Sequence, residues 1–223
     1  MPSLLYPPRL AALACLLALA LGLSACRIEK RTVAASADQA DKFVNQAFDP
    51  KAQVADIWEA KVLPALQAKA VDFPALRQAM VADVDQAGEK MGQRQPAEGA
   101  PWNFVARVKG RVVTVNTDVS AGTVGVDVDG DGQADALVQI GPVVRGTSLR
   151  DSLPFISFTD YANQVEFAQL ANAFNDQAYA LVMKPLPRQE LQGRSVELLG
   201  VFTDDDNADL PTLTPVQLTL GAK

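Results

Sequence analysis

The sequence predicts an α+β protein. A helical region over residues 38–92 precedes a five-stranded Greek-key barrel over residues 102–223, with a long helix between strands three and four. Three observations predict this. Apolar residues recur at helical spacing up to residue 92 and alternate with period two from Trp102 onward. The stretch 93–101 (QRQPAEGAP) between the two patterns reads as a linker. After it come three meandering strands, a helix and two strands, the order of an oligonucleotide/oligosaccharide-binding (OB) barrel. The 223 residues, 48% hydrophobic and 21% charged, suffice for a full core and exclude disordered or collagen-like classes.

Residues 1–25 stand apart from the fold. Arg9 is the only charge before Arg27, and residues 10–22 (LAALACLLALALG) form an apolar run of 13. A bilayer-spanning helix needs about 20 residues, so the run has the length of a signal-peptide core. The residues that follow, Leu23-Ser24-Ala25-Cys26, resemble the lipobox of bacterial lipoproteins. That resemblance implies cleavage before Cys26, lipidation of Cys26 and a membrane anchor made of acyl chains. Cleavage removes Cys15 and leaves 19 basic against 26 acidic side chains, net −7. The remaining cysteine carries lipid, so no intramolecular disulfide can form. Arg27 stands after the cysteine where a retained lipoprotein would carry Asp, which by resemblance to enterobacterial sorting favours the outer membrane. Residues 26–37, polar and basic at the start, read as a tether.

The helical region follows. Ser36-Ala37-Asp38-Gln39 is a capping-box pattern for a helix through Ala40, Phe43, Val44, Ala47 and Phe48, stopped at Asp49-Pro50. A second helix runs through Val54, Ile57, Trp58 and Val62, with Pro64 kinking or ending it. Asp72 can cap a third around Leu76, Met80 and Val81, with Gly92 as terminator.

In the barrel, Phe104, Ala106, Val108, Gly110 and Val112 alternate with Val105, Arg107, Lys109, Arg111 and Val113. This predicts a strand with one apolar and one basic face, bulged or coiled at Gly110. Val124, Val126 and Val128 make the second strand. Residues 135–141 make the third, across a hairpin at Asp129-Gly130-Asp131-Gly132. A long helix, capped by Thr159 and striped by Tyr161, Val165, Ala168, Ala171, Phe174, Ala178 and Leu181, ends at Pro185 and is expected to plug one end of the barrel. Residues 194–202 and 215–220 supply strands four and five.

Histidine is absent, which removes imidazole acid–base chemistry, His triads and His metal sites. Three constellations remain. Asp127, Asp129, Asp131 and Asp135 occupy positions 1, 3, 5 and 9 of a calcium-loop pattern with Gly132 at 6, but Val138 stands where a bidentate Glu belongs. The flanks read as strands, so the alternative is a hairpin whose Asp and Gly supply turn geometry. A second acidic run, Asp204-Asp205-Asp206-Asn207-Ala208-Asp209, falls in the loop between strands four and five, where it would repel anionic ligands. The densest polar cluster holds Gln139, Arg145, Thr147, Arg150 and Asp151, joined by Asn163 and Gln164 at the start of the long helix. Arg145 and Arg150 could jointly grip a carboxylate or sugar hydroxyls. In the structural alternative, Arg150 pairs with Asp151.

The stretch VDVDGDGQADALVQIGPVVRGTSLRDSLPFISFTDYANQVEFA, with the lipobox and IWEAKVLPAL, resembles a bacterial family of predicted periplasmic lipoproteins whose genes often lie beside sugar ABC-importer genes. The resemblance implies a periplasm-facing, lipid-anchored protein linked to sugar uptake, and carries no catalytic residue. The expected function is a non-catalytic accessory or binding module for a saccharide, a peptide or an importer component. The alternatives are a calcium-stiffened structural envelope protein and a carboxylate-dependent hydrolase. The hydrolase would need two of Asp151, Asp160 and Glu166 across a cleft. Nucleic acid is not an expected partner: the charge is wrong, and Arg107, Lys109 and Arg111 lack aromatic neighbours for base stacking.

Overall fold

The computed structural model describes residues 48–205 and 208–222. The leader, Cys26, the tether and the first predicted helix lie outside the described residues. The described residues form one compact unit.

Asp49 opens helix α1 (Pro50–Ile57): its carboxylate accepts from the Lys51 and Ala52 amides at 3.1 and 3.0 Å. A π-turn (Trp58–Val62) joins α1 to α2 (Leu63–Lys69), with Pro64 in the first turn of α2. Proline thus does not end the helical run, because in the first turn of α2, after the wide turn, its missing amide donor is tolerated. A two-residue strand, β1 (Val71–Asp72), leads into α3 (Phe73–Ala82). Asp72 sits at the cap position of α3 but makes no side-chain cap bond. The predicted third helix is in fact two. Asp83 has an extended backbone and caps α4 (Val84–Met91), its carboxylate accepting from the Gln86 amide at 2.9 Å. The break leaves Val81 79% exposed at the end of α3.

Five strands close the barrel: β2 (Asn103–Asn116), β3 (Thr123–Asp127), β4 (Ala136–Gln139), β5 (Ser195–Thr203) and β6 (Thr212–Leu220). Their order is β2-β3-β4-β6-β5 and back to β2, with β4 and β6 parallel and every other neighbouring pair antiparallel. Residues 103–111 of β2 pair with β5 and residues 111–116 pair with β3. The bulge lies between Val112 and Thr114, just past the predicted glycine. Gly110 contributes close approach instead. A Cβ there would stand 2.2 Å from the Asp127 carbonyl oxygen, so only glycine lets the two strands cross this closely.

Phe104, Ala106, Val108 and Val112 of β2 face the interior with Val124, Val126, Val138, Val196, Phe202 and Leu213. Phe73, Leu76 and Met80 from α3 and Ala87 from α4 fill the same cluster. Gly88 of α4 leaves room for the Trp102 ring, which a Cβ would meet at 2.2 Å. The long helix α6 (Gln164–Ala178) lies between β4 and β5 in sequence, as expected, but it does not plug the barrel. Its Leu170, Phe174 and Ala178 pack with Trp58, Val62 and Leu66 against the outward-facing Val105, Leu199, Val201 and Val216. The physical reason is occupancy. The interior is already filled from α3, and the apolar outer wall of β2, β5 and β6 needs a cover. Thr159 falls in a 3₁₀ turn (Phe158–Asp160), and Asn163 caps α6 in its place.

The basic face of β2 is consumed by the fold. Arg107 donates to the Gln67 and Ala70 carbonyls, both at 2.7 Å, closing the C-terminus of α2. Lys109 pairs with Glu197, and Arg111 donates to the Gly193 carbonyl at 2.9 Å.

Leu76 and Val81 lie on the same helix, the first fully buried and the second exposed. Leu76→Ala is expected to cost about 2–5 kcal/mol in urea unfolding, and Val81→Ala about 0.5 kcal/mol or less. Equal effects would contradict the placement of α3 in the barrel interior.

Candidate functional site

A cleft of mixed chemistry sits where three connections meet: the loop 117–122 after β2, the loop after β4 and the start of the β5–β6 loop. The first two are tied by the backbone. Ile140 and Gly141 amides donate to the Gly122 carbonyl at 2.9 and 3.0 Å, and the Val143 amide donates to Ser120 at 3.1 Å. Gly141 permits this, since a Cβ would stand 2.1 Å from the Ser120 oxygen. The resulting cleft has a volume of about 680 Å³, and its walls include Thr123, Gln139, Arg145, Thr147, Ser148, Thr203, Asp204, Asp205 and Thr212.

Three of the predicted ligand residues, Gln139, Arg145 and Thr147, meet here. Gln139 is buried, and its amide is committed: Oε1 accepts from the Arg145 amide at 2.7 Å, and Nε2 donates to Thr214 Oγ1 at 2.8 Å and to the Arg145 carbonyl at 3.1 Å. It positions the Arg145 loop. From α6, Asn175 supports the same loop, donating to the Gly146 carbonyl at 2.9 Å. The Arg145 side chain is exposed, with no hydrogen bond or ion pair of its own among the described residues. Thr147 Oγ1 donates to Asp151 at 2.6 Å and keeps its lone pairs. Arg145 is therefore the cleft's adaptable donor, surrounded by hydroxyl groups.

Arg150, Asp151, Asn163 and Gln164 are not brought to the cleft. The helix α5 (Ser148–Asp151) buries Arg150 and Asp151, and the guanidinium makes two bonds to its neighbour, Nε–Oδ1 at 2.8 Å and Nη2–Oδ2 at 3.0 Å. Its Nη1 donates to the Phe167 carbonyl at 2.9 Å, and the guanidinium lies 3.6 Å from the centre of the Phe167 ring. Arg150 thus locks α5 onto α6 and has no donor face left to share with Arg145. Asn163 is spent on the Val165 and Glu166 amides, at 2.9 and 3.0 Å, and Gln164 is the exposed first residue of α6.

The acidic hairpin is held by its own carboxylates, in two Asx turns at Asp129 and Asp131 and in longer-range bonds to Asp127 and Asp135. Asp127 accepts from the Gly130 and Gly132 amides at 2.7 and 2.9 Å, Asp129 from Asp131 at 3.0 Å, Asp131 from Gln133 at 2.7 Å, and Asp135 from Val128 at 2.6 Å. Gly130 and Gly132, both at φ 87°, supply the left-handed turns that admit these bonds. Asp127, Asp129 and Asp135 also bring one oxygen each within 4.8 Å of one another, while Asp131 lies outside that group. The flanking elements are strands, as the sequence indicates.

The residues the sequence does not flag are Thr123, Thr203, Thr212, Thr214 and Asn175. Asn175 has a visible signal, a polar residue next to Phe174 on the buried side of a helix. The threonines carry none, because threonine is ordinary in strands.

The chain matches the family described as "Predicted periplasmic lipoprotein (DUF2291)" over residues 16–219, and it belongs to that family. Among solved structures it is similar to an OB-fold protein from Thermotoga maritima, at 15% identity and a TM-score of 0.62, covering 79% of this chain and 100% of that one. That similarity concerns the fold. A search of curated proteins finds no match.

Asp151→Asn leaves the buried Arg150 without a counter-charge. It is expected to cost about 3–5 kcal/mol in chemical unfolding, and a loss under about 1 kcal/mol would contradict the locking role.

Proposed function

We propose that this periplasmic lipoprotein is a non-catalytic binding module that takes a saccharide in the cleft at the barrel mouth. Anchored through Cys26 in the outer membrane, it serves sugar uptake by an ABC importer. The observation that carries the proposal is the place of the cleft. It lies between the loop after the first barrel strand and the loop between the last two, the position at which OB barrels bind oligosaccharides. Its chemistry suits a neutral polyol. Hydroxyl groups of four threonines and a serine line it, Arg145 offers charge-assisted donors, and Asp204 and Asp205 disfavour anions. The gene neighbourhood implied by the family resemblance supports the link to sugar import.

The test is calorimetry on the full lipidated protein in detergent, against a panel of neutral mono- and oligosaccharides. One of them is expected to bind saturably and to raise the melting temperature. Arg145→Ala is expected to weaken it about tenfold or more, since a hydrogen bond to a charged group contributes about 1.5–3 kcal/mol. No melting shift with any sugar, together with no importer subunit recovered by cross-linking in membranes, would overturn the proposal.

The convergence of Asp127, Asp129 and Asp135 supports a second reading, in which calcium stiffens the hairpin and the protein acts as an envelope spacer. A calcium-dependent rise in melting temperature that disappears in Asp129→Ala is expected on that reading. Silence in the native protein would leave the loop a hairpin held by its own amides.

A further inference from the structure

Seven large hydrophobic side chains stand exposed among the described residues, and three of them, Phe155, Phe158 and Val165, lie within residues 155–165. Single exposed hydrophobics are ordinary, whereas a cluster marks a contact surface. Rings join this one into a patch. Phe158 and Tyr161 both pack on Phe167, with ring centres 5.4 and 5.5 Å away. Phe48 stands edge-on to Tyr161 at 5.7 Å, and Phe155 shares a pocket wall with both.

The loop is built to present its two phenylalanines. Leu153 and Ile156 are buried in the cluster beneath α6, and the Ile156 amide donates to the Leu153 carbonyl at 3.2 Å. Ser157 then opens the 3₁₀ turn, its carbonyl accepting from the Asp160 amide at 3.1 Å. Phe155 and Phe158, set beside these anchors, remain 40% and 42% exposed. A loop held in this way loses little conformational freedom when its rings are covered.

Charge and chain position indicate what covers them. Residues 152–159 (SLPFISFT) contain no charged side chain, so burying the loop strips water from no ion. At the rim, exposed Asp160 and Lys61 offset one another, a balance suited to a zwitterionic surface and not to an anionic one. The chain that leads to Cys26 leaves the described fold at Phe48, whose ring belongs to this patch. On the reading in which Cys26 carries the lipid, on which this inference rests, 22 peptide links join the anchor to Phe48 and span at most about 80 Å. Contact with the bilayer is then an intramolecular event at high effective concentration, for which a small apolar area suffices.

We propose that Phe155 and Phe158 enter the phospholipid surface that holds the anchor and seat this end of the fold against the bilayer. None of the patch residues lines the mouth cleft, so the saccharide reading is not needed for it.

Fluorescence quenching by brominated lipid, measured on the full lipidated protein, tests this. After cleavage the one cysteine left in the chain carries the lipid, so Thr159→Cys gives a single thiol beside Phe158 for a fluorescent label. Val81→Cys gives a control at an exposed apolar position on α3. In phosphatidylcholine vesicles with bromine on the acyl chains, the label at 159 is expected to be quenched at least about threefold more than the label at 81. Salt at about 1 M is expected to leave that difference in place. Replacing both rings, Phe155→Ser with Phe158→Ser, is expected to bring the label at 159 down to the control level. Equal quenching at the two positions, or quenching at 159 unaltered by the two serines, would overturn the proposal. Energy transfer between labels at 159 on different molecules, without bromine quenching, would assign the patch to a second copy of the chain and overturn it as well. Should the two serines unfold the loop, the comparison of 159 with 81 still decides. Flotation with the vesicles reads the anchor separately, and protein that does not float would overturn the anchor reading and this inference together.

Discussion

One strand, β2, forms the seam of the barrel, and its double pairing constrains everything around it. A straight strand cannot serve β5 with its first half and β3 with its second. The chain solves this with Gly110, where the backbone passes against the Asp127 carbonyl, and with a bulge immediately after it. Closure then leaves no unpaired edge among the long strands, and it brings the β2–β3 and β5–β6 loops together over the end of β4. The mouth cleft exists because those loops meet there.

Closure also divides the apolar residues between two compartments. The interior is small, and α3 supplies Phe73, Leu76 and Met80 to it. Strands β2, β5 and β6 have apolar outer faces as well, which α1, α2 and α6 cover. The segment before the barrel is therefore part of its core on both sides, and the stretch 93–101 joins the two parts without separating their hydrophobic clusters. Placing α6 outside has a consequence for binding. The helix supports the Arg145 loop from behind, through the hydrogen bond of Asn175 to the Gly146 carbonyl and through its apolar face against Val144.

Much of this is legible in the residues themselves. The number and order of barrel strands follow from alternation and turn residues, and Asp49-Pro50 is a visible start signal, the cap and first residue of α1. What periodicity does not show is which apolar surface each helix meets. The stripe on α6 is compatible with an inner or an outer seat, and the choice depends on α3 filling the interior first. The consecutive apolar residues of Leu198-Leu199-Gly200-Val201-Phe202 are the available hint that β5 is buried on both faces. At the candidate site, the polar cluster after β4 is visible but its roles are not. Arg150 and Asp151 are neighbours in sequence and partners in space, whereas Arg145, five residues earlier, faces solvent. Only the burial of α5 against α6 separates those fates.

Helix α3 belongs to the barrel core and is no appendage of it. Native-state hydrogen exchange on the full protein tests this most directly. If α3 shares that core, the hydrogen-bonded amides of residues 76–82 exchange through the same global opening as those of β2 and β5. Exchange of α3 through a local opening far cheaper than that of β2, with the strands still protected, would contradict it.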